Sequence, residues 1–216
     1  MQNILVIGAH YDDAELGVGG SMAKWVRGGK KVYKLTLTDN VTKFDRKKIM
    51  VDSESSQKES ANACKVLGVI EIVDSVKLAP CTELLFNKRQ MQQIEGFIID
   101  NNIDTIVTHY LSDIQQDHVH TSTISYVAGR YCDNILMYQS NKYILPTVFY
   151  PRYFEDISET IELKKKALSC YGDAHNRFNS LFDMTITQNR VDGYKINMNE
   201  TESYAESFMV MKMVGR

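Results

Sequence analysis

Histidine and carboxylate side chains crowd into two short stretches of this chain. The first is Ala9-His10-Tyr11-Asp12-Asp13-Ala14-Glu15. The second is Ser112-Asp113-Ile114-Gln115-Gln116-Asp117-His118-Val119-His120, with His109 just ahead of it. Imidazole and carboxylate donors that leave one ligand position open suit a catalytic zinc ion or a related divalent metal. Each piece alone has a plainer reading. Asp12 or Asp13 by itself is an ordinary helix cap, and His109 by itself an ordinary loop histidine. His118 and His120 are two apart, so on a helix they leave on different sides and do not both face one ion. The pairing of the two clusters is what points to metal chemistry.

The elements around these clusters explain how they meet. Asn3 to Gly8 (NILVIG) is a short apolar run, as expected of a strand buried on both faces. Glu15 to Arg27 reads as a helix stopped by Gly28-Gly29, and Lys31 to Thr38 as a second strand. Asp39 to Glu54 is polar and predicts a surface loop or mobile flap. Ser55 to Leu67 reads as a helix ended by Gly68, Ile70 to Val73 as a short strand, Phe86 to Asn101 as a helix and Ile103 to Thr108 as a buried strand. A loop from His109 to Gln116 leads into a helix over Asp117 to Asp133. Thr147 to Tyr150 reads as a strand, and Ser158 to Tyr171 as a helix with Ser158 at its N-cap. Beyond Asp173 no topology is assigned. This alternation predicts an α/β fold: a single-domain, Rossmann-like, three-layer arrangement with a mostly parallel sheet, spanning residues 1–216. In such sheets ligands sit beyond the carboxyl ends of strands, which is where both clusters fall.

Composition narrows the classes. Of 216 residues 44% are hydrophobic, enough for a sizeable core. The formal net charge of -2 does not suggest a nucleic-acid partner, which calls for a basic surface. No apolar run approaches the roughly 18 residues of a membrane span. The start of the chain reads as a strand, not a signal peptide, so a cytoplasmic location is expected. Cys64, Cys81, Cys132 and Cys170 are widely spaced and form no CxxC, which favours reduced thiols. Gly17-Val18-Gly19-Gly20 lies inside the first helix and does not fit G-x-G-x-x-G; close helix–sheet packing is its simpler role.

The first cluster, continued through Leu16-Gly17-Val18-Gly19-Gly20, resembles the AHPDDxE-LGxGG signature of the PIG-L/LmbE-like deacetylases. Gln116-Asp117-His118 falls at that family's second motif, and Phe154 to Glu162 and Tyr204-Ala205-Glu206-Ser207-Phe208 fit the same pattern. The resemblance implies a zinc ion, or another divalent metal such as Fe²⁺, held by His10, Asp13 and His118. It implies Asp12 as the general base that takes a proton from metal-activated water, and Asp117, Gln115, His120 and His109 as supporting or substrate-binding groups. The implied reaction removes an acetyl group from an N-acetylglucosamine-type sugar or its conjugate. The implied partner is thus a small acetylated sugar, and homo-oligomers occur among relatives.

Three positions depart from the family pattern. Tyr11 replaces a proline. Gln115 replaces a histidine that acts as acid or electrostatic partner, and glutamine cannot supply a proton; His120 and His109 are the alternatives. Ser56 replaces a substrate-binding arginine, with Lys58 and Arg46 as alternatives. Gln115 and Ser56 keep open a second reading, a catalytically weak, metal-containing relative that binds sugar.

Overall fold

The apolar run Asn3–Gly8 forms β1, central in a seven-stranded sheet, with five of its six residues buried. The computed structural model describes residues 1–44, 46, 48–172, 178–199 and 202–215. The other strands of this sheet are β2 (Lys31–Thr36), β5 (Ile70–Ile72), β6 (Thr105–His109), β7 (Asn134–Tyr138), β8 (Tyr153–Asp156) and β9 (Ala205–Lys212). Their order is β5-β2-β1-β6-β7-β9-β8. From β5 to β7 every pairing is parallel, while β9 runs antiparallel to both β7 and β8. The expected mostly parallel α/β sheet is therefore present.

Alternation along β1 builds two cores. Ile4 and Val6 point to a cluster shared with α1 (Asp13–Arg27), α2 (Ser53–Leu67) and α5 (Ile161–Leu168). Leu5 and Ile7 point to a second cluster with α3 (Lys88–Asp100) and α4 (Gln116–Ala128). The result is three layers. The chain leaves β1 toward β2 on one side, and β6 flanks it on the other, so a switch of direction opens at β1 and β6. That is where doubly wound sheets place ligands.

Helix α1 is kinked: Val18 has φ -143° and ψ 22°. In an unbroken helix Leu16 O would accept from Gly20 N. Here the Lys164 ammonium donates to Leu16 O at 2.8 Å, and Glu206 accepts from Gly20 N at 3.0 Å and Ser21 N at 2.7 Å. Lys164 and Glu206 are themselves paired at 2.6 Å and fully buried. Glu206 of the stretch Tyr204–Phe208 and Lys164, just after the stretch Phe154–Glu162, thus satisfy backbone groups that the kink releases. The glycines have the packing role expected. A Cβ on Gly17 would lie 2.2 Å from the Tyr138 ring, and one on Gly20 2.6 Å from Ile157.

This packing makes a testable contrast. Gly17→Ala is expected to destabilise by about 1–3 kcal/mol, because the core cannot absorb the methyl. Gly96→Ala, within α3 with nothing inside 4 Å of its new Cβ, is expected to stabilise by roughly 0.5–1 kcal/mol. Denaturant melts of both proteins check the opposite signs; equal effects would contradict the close approach of α1 to β7.

Several sequence expectations are corrected. Thr147–Tyr150 is no strand: it joins no sheet, and Val148 and Tyr150 are 79% and 57% exposed. The fifth parallel strand is β7, an apolar run too short to show a period that separates strand from helix. The helix expected over Asp117–Asp133 stops at Ala128. Helix α5 begins at Ile161 behind Thr160, and Ser158 instead donates its hydroxyl to Asp156. The polar stretch Asp39–Glu54 carries a hairpin, β3 (Thr42–Phe44) with β4 (Ile49–Val51), and its residues 45 and 47 lie outside the described residues. The C-terminal region supplies a π-helical turn (Phe178–Phe182), α6 (Asp183–Ile196) and β9. All four cysteines are free. Among the described residues no helix is long and apolar enough to cross a membrane.

Candidate metal centre

The carboxyl end of β1 turns directly into α1, and this turn holds the first cluster. His10 and Asp13 face each other across it. The His10 backbone amide donates to Asp13 Oδ2 at 2.7 Å, and His10 Nδ1 lies 3.2 Å from the same oxygen. His118, in the first turn of α4, brings its Nε2 to 3.3 Å from Asp13 Oδ1. The ligand atoms of His10, Asp13 and His118 all lie within 4.8 Å of one another. His118 Nε2 is buried and has no hydrogen-bond partner among the described residues. A buried imidazole nitrogen without a partner, aimed at a carboxylate and beside a second imidazole, fits a zinc-like ion in the open space between them.

Other predicted residues hold this set in place. Asp117 accepts from His10 Nε2 at 3.1 Å and from the backbone amides of Thr82 and Leu84 at 2.7 and 3.2 Å. His109 stacks on His118 with ring centroids 3.9 Å apart, and its Nε2 lies 3.1 Å from both Ala9 N and Asp13 Oδ2. Gln115 is the N-cap of α4: its amide oxygen accepts from His118 N at 2.8 Å. His120 takes no part in the cleft; it is half-buried further along α4, as its spacing from His118 requires. Asp12 is buried and lines the cleft, and although it stands at the N-cap of α1 its side chain makes no capping bond.

Charge is distributed unevenly here. Burial disfavours the Asp13 carboxylate, but His118, His109 and His10 around it hold its carboxyl well below the usual range. Burial also opposes a charged His118, yet Asp13 and Asp113 push that imidazole up to about 9. His10 is raised as well, against burial, by Asp13 and Asp117. His109 goes the other way: burial and the neighbouring His118 push it down to about 4. Its Nε2 accepts from the Ala9 backbone amide, with Asp13 Oδ2 beside it.

A cleft of about 500 Å³ opens over His10, Asp12 and Asp13. One wall comes from α2 and the β3–β4 hairpin, including Asp52, Ser56 and Met50; another includes Asn141 and Tyr171. Ser56 is buried, and its hydroxyl accepts from Asn40 Nδ2 at 3.0 Å. Lys58 and Arg46 are exposed and do not line the cleft, so neither stands in at the arginine position. Tyr11 explains its own departure from proline. Its side chain is part of the core, and its carbonyl accepts from the Lys34 ammonium at 2.6 Å and the Tyr171 hydroxyl at 2.7 Å.

Three contributors have no role assigned in the sequence reading. Asp113 lies 3.1 Å from His118 Nδ1, the orienting carboxylate that ligating histidines usually have. A carboxylate five residues before a candidate ligand at a helix start was the available signal. Lys34, fully buried, donates to both Glu15 oxygens at 2.7 and 2.8 Å. Its only signal was a lysine inside an apolar strand. Cys81 stands beside His10 and Asp117 and lines the cleft; nothing local marked it.

Comparison with known proteins adds to this geometry. The PIG-L family profile, described as GlcNAc-PI de-N-acetylase, matches residues 5–128. The uncharacterized deacetylase YaiS of Escherichia coli (strain K12) is 30% identical over 163 residues, covering 73% of this chain and 83% of YaiS. Among solved structures, the N,N'-diacetylchitobiose deacetylase of Pyrococcus horikoshii superposes with a TM-score of 0.76 at 19% identity, over 97% of this chain and 84% of that one. GalB, the 4-carboxy-2-hydroxymuconate hydratase of Pseudomonas putida KT2440, gives 0.80 at 14% identity, over 100% and 98%. A deacetylase and a hydratase share this fold, so the fold alone does not choose between chemistries.

Proposed function

From the starting point that this chain belongs to the PIG-L family of GlcNAc-PI de-N-acetylases, we propose that it is a zinc-dependent N-deacetylase of an acetylated amino sugar or its conjugate. The observation that carries this reading is the His10–Asp13–His118 cluster, which presents His10 and Asp13 to an open cleft with the Asp12 carboxylate beside them and His118 buried behind.

In this reading His10, Asp13 and His118 hold the metal. A bound zinc ion supplies an acidified water and a Lewis acid for the amide carbonyl. Asp12 takes the proton from the attacking water and passes it to the leaving nitrogen as the C–N bond breaks, giving acetate and a free amine. Asp117 holds the His10 ring through Nε2 and Asp113 holds the His118 ring through Nδ1, so each ring keeps its other nitrogen for the metal. Gln115 orders the first turn of α4 with its amide oxygen and supplies no proton. Asp12 therefore carries both proton transfers.

The test is release of free amine from a panel of N-acetylated sugars and conjugates. Metal-loaded protein is expected to cleave at least one, chelated protein none, and elemental analysis to show about one divalent ion per chain. The double variant His10→Ala with His118→Ala is expected to lose that ion while remaining folded. A folded, metal-loaded protein that releases amine from no member of the panel removes the reading.

A further inference from the structure

Helix α2 presents a charged stripe to the cleft. Asp52, its N-cap, and Ser56 and Glu59 within it are spaced four and three apart, so they share one face, and all three line the cleft. The two carboxylates flank a hydroxyl. Each is fixed: Asp52 accepts from Ser55 N at 2.8 Å, and Glu59 accepts from Gly172 N at 2.8 Å. Hydrogen bonding to Ser55 holds the Asp52 carboxyl below its ordinary value. Between them Ser56 is tied to Asn40, a residue held at φ 58°. This wall offers hydroxyl and amide groups together with fixed negative charge.

We propose that the Asp52–Ser56–Glu59 stripe is a specificity determinant, selecting acetylated amino sugars whose neighbouring unit carries a protonated amine and disfavouring those that carry a phosphate. The inference rests on the deacetylase reading for its substrate, though not for its charge preference. Asp52 and Glu59 lie about 10 Å apart along the helix, so an ammonium on the neighbouring unit meets one carboxylate or the other, each at a position the backbone has set in advance, and little ordering is required on binding. A phosphate in the same place meets like charge, which opposes it. Both carboxylates are solvent-accessible, so each is worth roughly two- to fivefold in selectivity, and added salt weakens the preference.

Two arms test this. In the first, kcat/KM is compared for chitobiose acetylated on one nitrogen, for N,N'-diacetylchitobiose and for N-acetylglucosamine 1-phosphate, below the amine pKa. The expected order is amine-bearing, then neutral, then phosphate. In the second, binding of glucosamine dimer and of N-acetylglucosamine 1-phosphate is measured by calorimetry on Asp12→Asn protein, which needs no turnover. The dimer is expected to bind tighter. The double variant Asp52→Asn with Glu59→Gln keeps the helix cap and the Gly172 contact but removes both charges, and is expected to bring the two ligands together. If no acetamide is cleaved, the deacetylase reading fails and the binding arm still decides the stripe. Dimer binding no tighter than the phosphate, or a preference that the double variant leaves unchanged, overturns the proposal.

Discussion

Asp12→Asn protein is expected to fold, to keep its metal and to release amine at least about 10²-fold more slowly than the parent. The substitution keeps size and shape and removes only the basic carboxylate, and general-base catalysis is typically worth about 10²–10⁴-fold. The three proposed ligands stay in place, since Asp12 contributes no ligand atom to the His10–Asp13–His118 group. Asp13→Asn is expected to behave differently. Asp13 faces His10, His109 and His118 at once, so its change should empty the metal site and lose activity by that route, with partial recovery at high zinc. Adjacent residues thus produce distinct signatures in metal content, melting temperature and turnover. If Asp12 served only as a helix cap, Asn would replace it with little loss, because Asn caps as well as Asp. The absent side-chain cap bond already speaks against that role. A folded, zinc-loaded Asp12→Asn protein with parental turnover would sink the mechanism.

Lys34→Met is expected to cost about 3–5 kcal/mol in stability, the usual result of removing one partner from a buried ion pair. Lys34 and Glu15 are both fully buried, and the ammonium also donates to Ser60 Oγ at 2.9 Å and Tyr171 Oη at 3.1 Å. Burial opposes the charge on Lys34, but the Glu15 carboxylate holds its pKa above the ordinary value. Without Lys34, Glu15 is left to bind a proton in the folded state, so its folded pKa rises above the unfolded value of about 4.3. The folded state then holds more protons than the unfolded state, and stability falls as pH rises above that value. The melting-temperature deficit of Lys34→Met should therefore widen from the acidic carboxyl range toward neutral pH. Adding Glu15→Gln should restore much of the loss and flatten the pH dependence. The loop His10–Asp13 shares the effect, because Tyr11 O loses one of its two donors. A deficit below about 1 kcal/mol and independent of pH would show that the pair is not a buried brace.

Much of the candidate site can be read along the chain because its parts are local. His10, Asp12 and Asp13 sit within one turn, and the strand before them is apolar enough to be recognised without partners. His118 is found the same way, beside Asp117 at a helix start. Gln115 and Ser56 mark departures just as locally, but what fills their places is not local. Gln115 turns out to cap α4, and Ser56 to accept from Asn40 in the cleft wall. The strand Asn134–Tyr138 escapes a sequence reading because its four apolar residues, Ile135 to Tyr138, carry no period, and only pairing with β6 and β9 makes them a strand.

By itself the sequence marked the strand–helix alternation over most of the chain up to Tyr171, the two segments that form the candidate site, and the kind of metal that imidazole and carboxylate donors suit. Short-range rules are enough for that: side-chain alternation, cap residues and the chemistry of each group are properties of a few neighbouring residues. Only the tertiary structure decided which groups meet. It set Asp113 behind His118, pushed the His109 pKa down by burial beside His118, and matched Lys34 to Glu15 and Lys164 to Glu206. It also divided Ile4 and Val6 from Leu5 and Ile7 between two specific cores. The physical reason is that burial and electrostatic coupling depend on distance in space. Residues far apart in the chain acquire a shared pKa, a shared ion or a shared cavity only after the sheet has ordered its strands.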